Sequence, residues 1–218
     1  MAHVAAVDLD GIGRELRASL DAKNAAREKA LPLCRKATRL SANAIRAVHR
    51  SDESLTAGLL EEARRRLDEA SEALEGHPEV KYAGFYHDAA KEYAEARLTH
   101  ALVRRLPLPT PGELGMEAPA YLNGMGEAVG EMRRHLLDLM RRGELERSEE
   151  VLGQMDEIYY LLISMDYPEA ITGGLRRTAD AMRGIVERTR GDLTTTIIQS
   201  KLQRALEAAH QDVEVGEL

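Results

Sequence analysis

The stretch HDAAKEYAEARLTH, residues 87–100, spaces Asp88, Glu92 and Glu95 four and three residues apart. On a helix this spacing puts three carboxylates on one face. Like charges so placed repel by about a few tenths of a kcal/mol per pair, and something must offset the repulsion. A nearby cation does so if Lys91 or Arg97 folds back. A divalent ion does so if the face is a metal site, because Mg²⁺ takes one or two carboxylates and completes its shell with water and substrate phosphate.

A second constellation is basic. From Lys29 to Arg50 the chain carries six Lys/Arg residues and no acid. At about 100° per residue, Arg35, Arg39, Arg46 and Arg50 fall within about 60° of one another, with His49 beside them. Leu33, Ala37, Leu40, Ala44, Ala47 and Val48 occupy the opposite, core face. The result is a line of guanidinium groups about 20 Å long. Elsewhere the exposed faces mix signs, as EEARRRLDEASE does at 61–72. A sign-pure line fits a run of phosphates, since Arg grips phosphate in a fork and each contact releases a counterion. A solvated helix face, or the acidic surface of another subunit, is the competing reading.

A third stretch, YLNGMGEAVGEMRR at 121–134, sets Gly124, Gly126 and Gly130 inside a helical pattern. Each costs about 1 kcal/mol relative to alanine. No strand precedes Tyr121, so this is no dinucleotide fingerprint. Small residues on one face instead let another backbone approach closely, within the chain or between subunits.

The elements that must position these groups read as helices throughout, with apolar residues recurring at three and four. Helices are predicted at about 9–50, with Pro32 a possible kink or break, and at 54–75, 79–105, 119–142, 144–165, 168–190 and 192–210. Punctuation comes from RSDES, EGHP, RRGE, DYP and RGD. The four prolines of 106–119 make a loop, within which TPGE has the spacing of a capping box. The acidic tail at 211–218 is expected to fray. The expected fold class is all-α, a single domain over 1–218 of six to seven helices in an antiparallel bundle or superhelix.

Of the 218 residues, 31% are charged and 44% hydrophobic, and the net charge is −7. That composition excludes a disordered chain. No apolar run approaches the ~20 residues that span a membrane, and MAHVAAVDLDGIGRELR lacks the layout of a secretory signal. A single cysteine, Cys34, excludes an intrachain disulfide framework and suits a cytoplasmic location.

Four stretches, in order, resemble one family, the translin superfamily. CRKATRLSANAIRAVHR at 34–50 is similar to its first-helix segment, and KEYAEA at 91–96 to a Gln-Glu-Tyr-Val-Glu-Ala motif of translin-associated factor X. YLNGMGEAVGEMRR resembles the family's Tyr-Leu-x-Gly and Gly-Glu-(Leu/Met)-x-Arg signature. Residues 161–194 are similar to the C-terminal helices of prokaryotic members. The resemblance covers nearly all of residues 10–200. It implies an all-α bundle, a hollow homo-oligomer of six to eight chains, and binding of single-stranded RNA or DNA. In the nuclease branch it also implies endoribonuclease activity dependent on Mg²⁺ or Mn²⁺.

Residue by residue, Glu92 and Glu95 match the branch's two metal-binding glutamates. The resemblance places a third carboxylate on the helix at 144–165, and the matching position is Tyr160. A phenol is a poor Mg²⁺ ligand at neutral pH. Asp156 as a metal ligand, or Glu157 as a catalytic carboxylate, is expected to substitute from one turn earlier. Glu131 is either a further inward ligand or a structural residue. Three functions follow: a nucleic-acid-binding oligomer that cleaves RNA with Mg²⁺ on Glu92 and Glu95, the same protein without catalysis, or a helical scaffold that binds no nucleic acid.

Overall fold

A computed structural model describes the backbone of residues 8–216 and the side chains of residues 8–210. Among them there are nine helices and no strand. The long ones are α1 (Leu9–His49), α2 (Glu53–Ala73), α4 (Phe85–Arg104), α6 (Ala118–Arg141), α7 (Leu145–Ile163) and α9 (Leu175–Gly216). Three single turns punctuate them: α3 (Pro78–Lys81), α5 (Pro111–Leu114) and α8 (Glu169–Thr172). The all-α reading holds, and no helix of the described residues is long and apolar enough to cross a membrane. Residues 1–7, part of the stretch read for a signal, lie outside the described residues.

The core forms along one seam of small residues. Ala26, Ala30, Cys34, Ala37, Ser41, Ala44 and Val48 recur at three and four along α1 and are buried. Against them stand Leu60, Ala63, Leu67, Ala70 and Leu74, and α1 packs on both α2 and α4. Alanines opposite leucines let the helices interdigitate closely, which is how a helix of low mean hydropathy still buries a face. α6 packs in turn on α4, α7 and α9. Its buried Met125, Val129, Met132 and Leu136 complete the same core.

Local signals set most ends. Asp52 caps α2 by accepting from the Leu55 N–H. Thr110 and Glu113 form the reciprocal capping box that TPGE predicts. Pro32 sits exposed inside a continuous α1 and does not break it, although it leaves one carbonyl without its intrahelical donor. Three boundaries differ from the sequence reading. The predicted 79–105 helix is interrupted after Tyr82 at Gly84, where φ is +104°. The predicted 168–190 helix is split by Gly173 and Gly174.

The predicted stop at RGD, residues 190–192, is absent, and α9 runs through it. Tertiary pairs override the local signal there. Arg190 chelates Asp156 at 2.7 and 2.9 Å, and Asp192 accepts from Arg133 at 2.7 Å. Leu193 and Thr189 are buried beside them. Together these offset the ~1 kcal/mol that Gly191 costs the helix. α9 also continues into the tail expected to fray, as far as Gly216.

Candidate metal centre and nucleic-acid face

The glycines of α6 explain how a carboxylate centre assembles. A Cβ placed on Gly124 would lie 2.6 Å from the Lys91 carbonyl, 2.7 Å from the Ala94 Cβ and 3.0 Å from the Glu95 nitrogen. The α6 backbone therefore rests on the α4 backbone between Lys91 and Glu95. Glu127 lies three residues after Gly124, on the same face of α6. It comes to lie with Glu92 and Glu95, and one carboxylate oxygen from each is within 4.8 Å of the others. Gly126 faces the other way, where a Cβ would meet Thr178 and Leu162. Gly130 meets nothing within 4 Å. Close approach thus accounts for two of the three glycines, and it is made within the chain.

The electrostatics follow from this crowding. Burial pushes the Glu95 carboxyl up to about 8, helped by the charges of Glu92, Glu127 and Glu131. Burial raises Glu92 too, with Glu127 and Asp88 adding to it. Lys91 is the internal counter-charge. Its ammonium donates to Glu127 at 2.6 Å and stands 3.9 Å from Glu92. Burial opposes its charge, but the bond to Glu127 and the charges of Glu127, Glu92 and Asp88 raise its pKa on balance. One ammonium faces three carboxylates, so the centre keeps an excess of negative charge that a divalent cation would neutralise. Three hard oxygen donors fit Mg²⁺ or Mn²⁺, leaving positions for water and phosphate.

The other sequence candidates lie elsewhere. Asp156, expected as a ligand, is held by Arg190 across α7 and α9 and does not join the three glutamates. Glu157 is exposed on α7 and does not join them either. Tyr160, the supposed replacement of a ligand, is 64% exposed. The third carboxylate comes from α6. Glu131 accepts from His49 at 2.6 Å, and that bond holds its carboxyl below the ordinary range against burial.

The arginine line is on the surface. Arg35, Arg39, Arg46 and Arg50 are exposed, and no carboxylate of the described residues lies within 4.0 Å of any of them. Arg46 donates to Asn43. His49 does not belong with them. Its side chain is 4% exposed and turned onto Glu131 of α6. This inward histidine still ties the line to the centre, since Glu131 is one turn of α6 beyond Glu127.

No family model matches the sequence. An uncharacterized protein of Methanocaldococcus jannaschii is 31% identical over 191 residues, 84% of this chain and 82% of that protein. The crystal structure of AfC3PO matches with a TM-score of 0.77 at 29% identity, over 85% of this chain and 97% of that one. The AfC3PO–duplex RNA complex matches at 0.64 and 31% identity, over 85% and 96%. C3PO chains are of the translin type. This chain belongs to the translin superfamily. Apo-NeC3PO shares the fold, with a TM-score of 0.70 at 20% identity over 88% and 98%.

In this translin-superfamily chain, Glu127 is the site residue that sequence reasoning missed. A signal for it was present. Gly124 marks the close approach of another backbone, and the carboxylate three residues later must point toward whatever approaches. The partner of that approach, α4 with Glu92 and Glu95, is what spacing along the chain does not reveal.

Proposed function

We propose that this translin-superfamily chain is an oligomeric protein that binds single-stranded nucleic acid and cleaves RNA with a divalent ion held by Glu92, Glu95 and Glu127. The observation that carries this reading is the convergence of the three carboxylates, one of them with a pKa pushed up to about 8. Bound there, Mg²⁺ or Mn²⁺ supplies a Lewis acid for the phosphoryl group and lowers the pKa of water. Lys91 holds Glu127 in place through its 2.6 Å bond. Arg35, Arg39, Arg46 and Arg50 bind the strand's phosphates along α1, and the His49–Glu131 pair fixes the end of that line to α6. RNA as the ligand class is supported by the solved complex of AfC3PO with duplex RNA. A single buried, free cysteine suits work in the cytoplasm.

Assembly is supported by what the chain leaves uncovered. Leu9, Ile12, Leu16 and Leu20 line α1 at three- and four-residue spacing and are exposed, as are Ile198, Leu202 and Leu206 on α9. Such apolar stripes mark interaction surfaces, and a homo-oligomer of six to eight chains covers them.

The test is incubation of the pure protein with end-labelled single-stranded RNA in Mn²⁺ and in chelator. Cleavage in Mn²⁺ alone, lost in Glu127→Gln with binding retained, is expected. A parent protein that binds the strand and leaves it intact in Mn²⁺ would show a binding module without catalysis.

A further inference from the structure

Two open clefts flank Glu127. One, of about 710 Å³, is lined by His87, Asp88, Lys91, Glu127, Glu169 and Arg177 among others. The second, of about 430 Å³, runs past Glu95, Glu127, Arg177 and Thr178 to apolar Ala181 and Ile185. Arg177 is the one cationic side chain common to both. Lys91 is already committed to Glu127. Arg177 is exposed, and no carboxylate of the described residues lies within 4.0 Å of it, although Glu127 and Glu169 line the same cleft.

Its position is fixed by the fold and is not one that helix stability selects. Gly173 and Gly174, at φ +61° and +87°, turn the chain from α8 into α9, a conformation that side-chain-bearing residues rarely adopt. Arg177 then falls in the first turn of α9, where the helix dipole disfavours a cation. The next residue, Thr178, donates to Asn123 Oδ1 at 2.6 Å and fills the space beside Gly126. The backbone of Arg177 is therefore pinned to α6 next to Glu127. A free guanidinium held beside a metal-type centre, against the preference of its own helix, signals a role outside stability.

We propose that Arg177 is a catalytic residue that grips the non-bridging oxygens of the phosphodiester lying over Glu92, Glu95 and Glu127. This rests on the nuclease reading above. In the hydrolysis, water gives its hydroxyl to phosphorus and its proton to the leaving oxygen as that P–O bond breaks. The products are a phosphate monoester and a free hydroxyl. The non-bridging oxygens carry the charge throughout, and a planar fork matches two of them. Removing it is expected to slow cleavage by roughly 100-fold or more.

The test pairs Arg177→Gln with Arg176→Gln. Arg176 lines a separate depression with Asp166, Tyr167 and Asp180 and serves as the charge control. Fluorescence anisotropy with single-stranded RNA in Ca²⁺ buffer, the strand confirmed intact on a gel, reads the salt dependence of binding. Arg177→Gln is expected to flatten the log K against log salt slope by about 0.7, the value of one phosphate contact on a single strand. Arg176→Gln should leave the slope unchanged. Single-turnover cleavage in Mn²⁺ should fall for Arg177→Gln and recover in part for Arg177→Lys. Mn²⁺ affinity read by electron paramagnetic resonance should match the parent. An unchanged slope in Arg177→Gln, or an equal loss in Arg176→Gln, overturns the proposal whatever the rates. A parent that fails to cleave, with the slope still reduced in Arg177→Gln, removes the nuclease reading and leaves the phosphate contact standing.

Discussion

Glu95 is the residue at which charge and burial conflict most. Its carboxyl is pushed up to about 8 by burial and by Glu92, Glu127 and Glu131. The sign of the linkage follows. Below an unfolded carboxyl pKa of about 4.3, both states are protonated and the group contributes nothing. Between there and about 8 the folded state holds the proton that the unfolded state has released, so stability falls as pH rises. In chelator, urea unfolding should therefore show declining stability from pH 5 to pH 8.5, and Glu95→Gln should remove much of that slope. Saturating Mn²⁺ should flatten it in the parent by replacing the proton. Binding the ion near pH 7 should also release protons, a quantity read by calorimetry in buffers of different ionisation enthalpy. A stability profile flat in chelator would contradict the crowding of the centre.

At the scale of elements, the centre depends on the contact between α4 and α6. Gly124→Ala forces a methyl to 2.6 Å from a backbone oxygen. It should destabilise the protein by about 1–3 kcal/mol and weaken Mn²⁺ binding, because Glu127 is carried away with its helix. Gly130 has open space around its Cβ position, so Gly130→Ala should raise stability by about 1 kcal/mol through helix propensity alone. Thermal melts of the two variants, moving in opposite directions, check this. The exposed line on α1 is tested by reversal of charge. Arg39→Glu with Arg46→Glu should abolish binding of single-stranded oligonucleotides by anisotropy and leave helicity unchanged by circular dichroism. His49 is no part of that line, and its loss should be felt in folding through unpaired Glu131.

For the whole molecule, the two longest helices each extend beyond the core. α1 is exposed along residues 14–22, and α9 along 201–210. The leucines at 16 and 20 gain nothing from a solvated helix. Leu16→Glu with Leu20→Glu should leave the core intact and lower the mass found by light scattering if these stripes meet other subunits. A parent protein at the monomer mass of 24.1 kDa at micromolar concentration would exclude the assembly. Tyr160→Asp should leave cleavage unchanged, since that side chain is exposed on α7.

The sequence by itself determined what is local. Helical periodicity gave the all-α class, the caps at Asp52 and Thr110, and the face shared by Asp88, Glu92 and Glu95. It also gave the arginine line, because rotation along one uninterrupted helix is simple arithmetic. Residues distant in sequence decided the rest. Whether His49 belonged to the surface or the interior depended on where α6 packed. Whether RGD ended a helix depended on Asp156 and Arg133, held on two other helices. The third carboxylate depended on Gly124, whose missing side chain lets α6 settle onto α4. Close backbone approach is a property of two elements at once, and spacing along one of them shows only that an approach is possible.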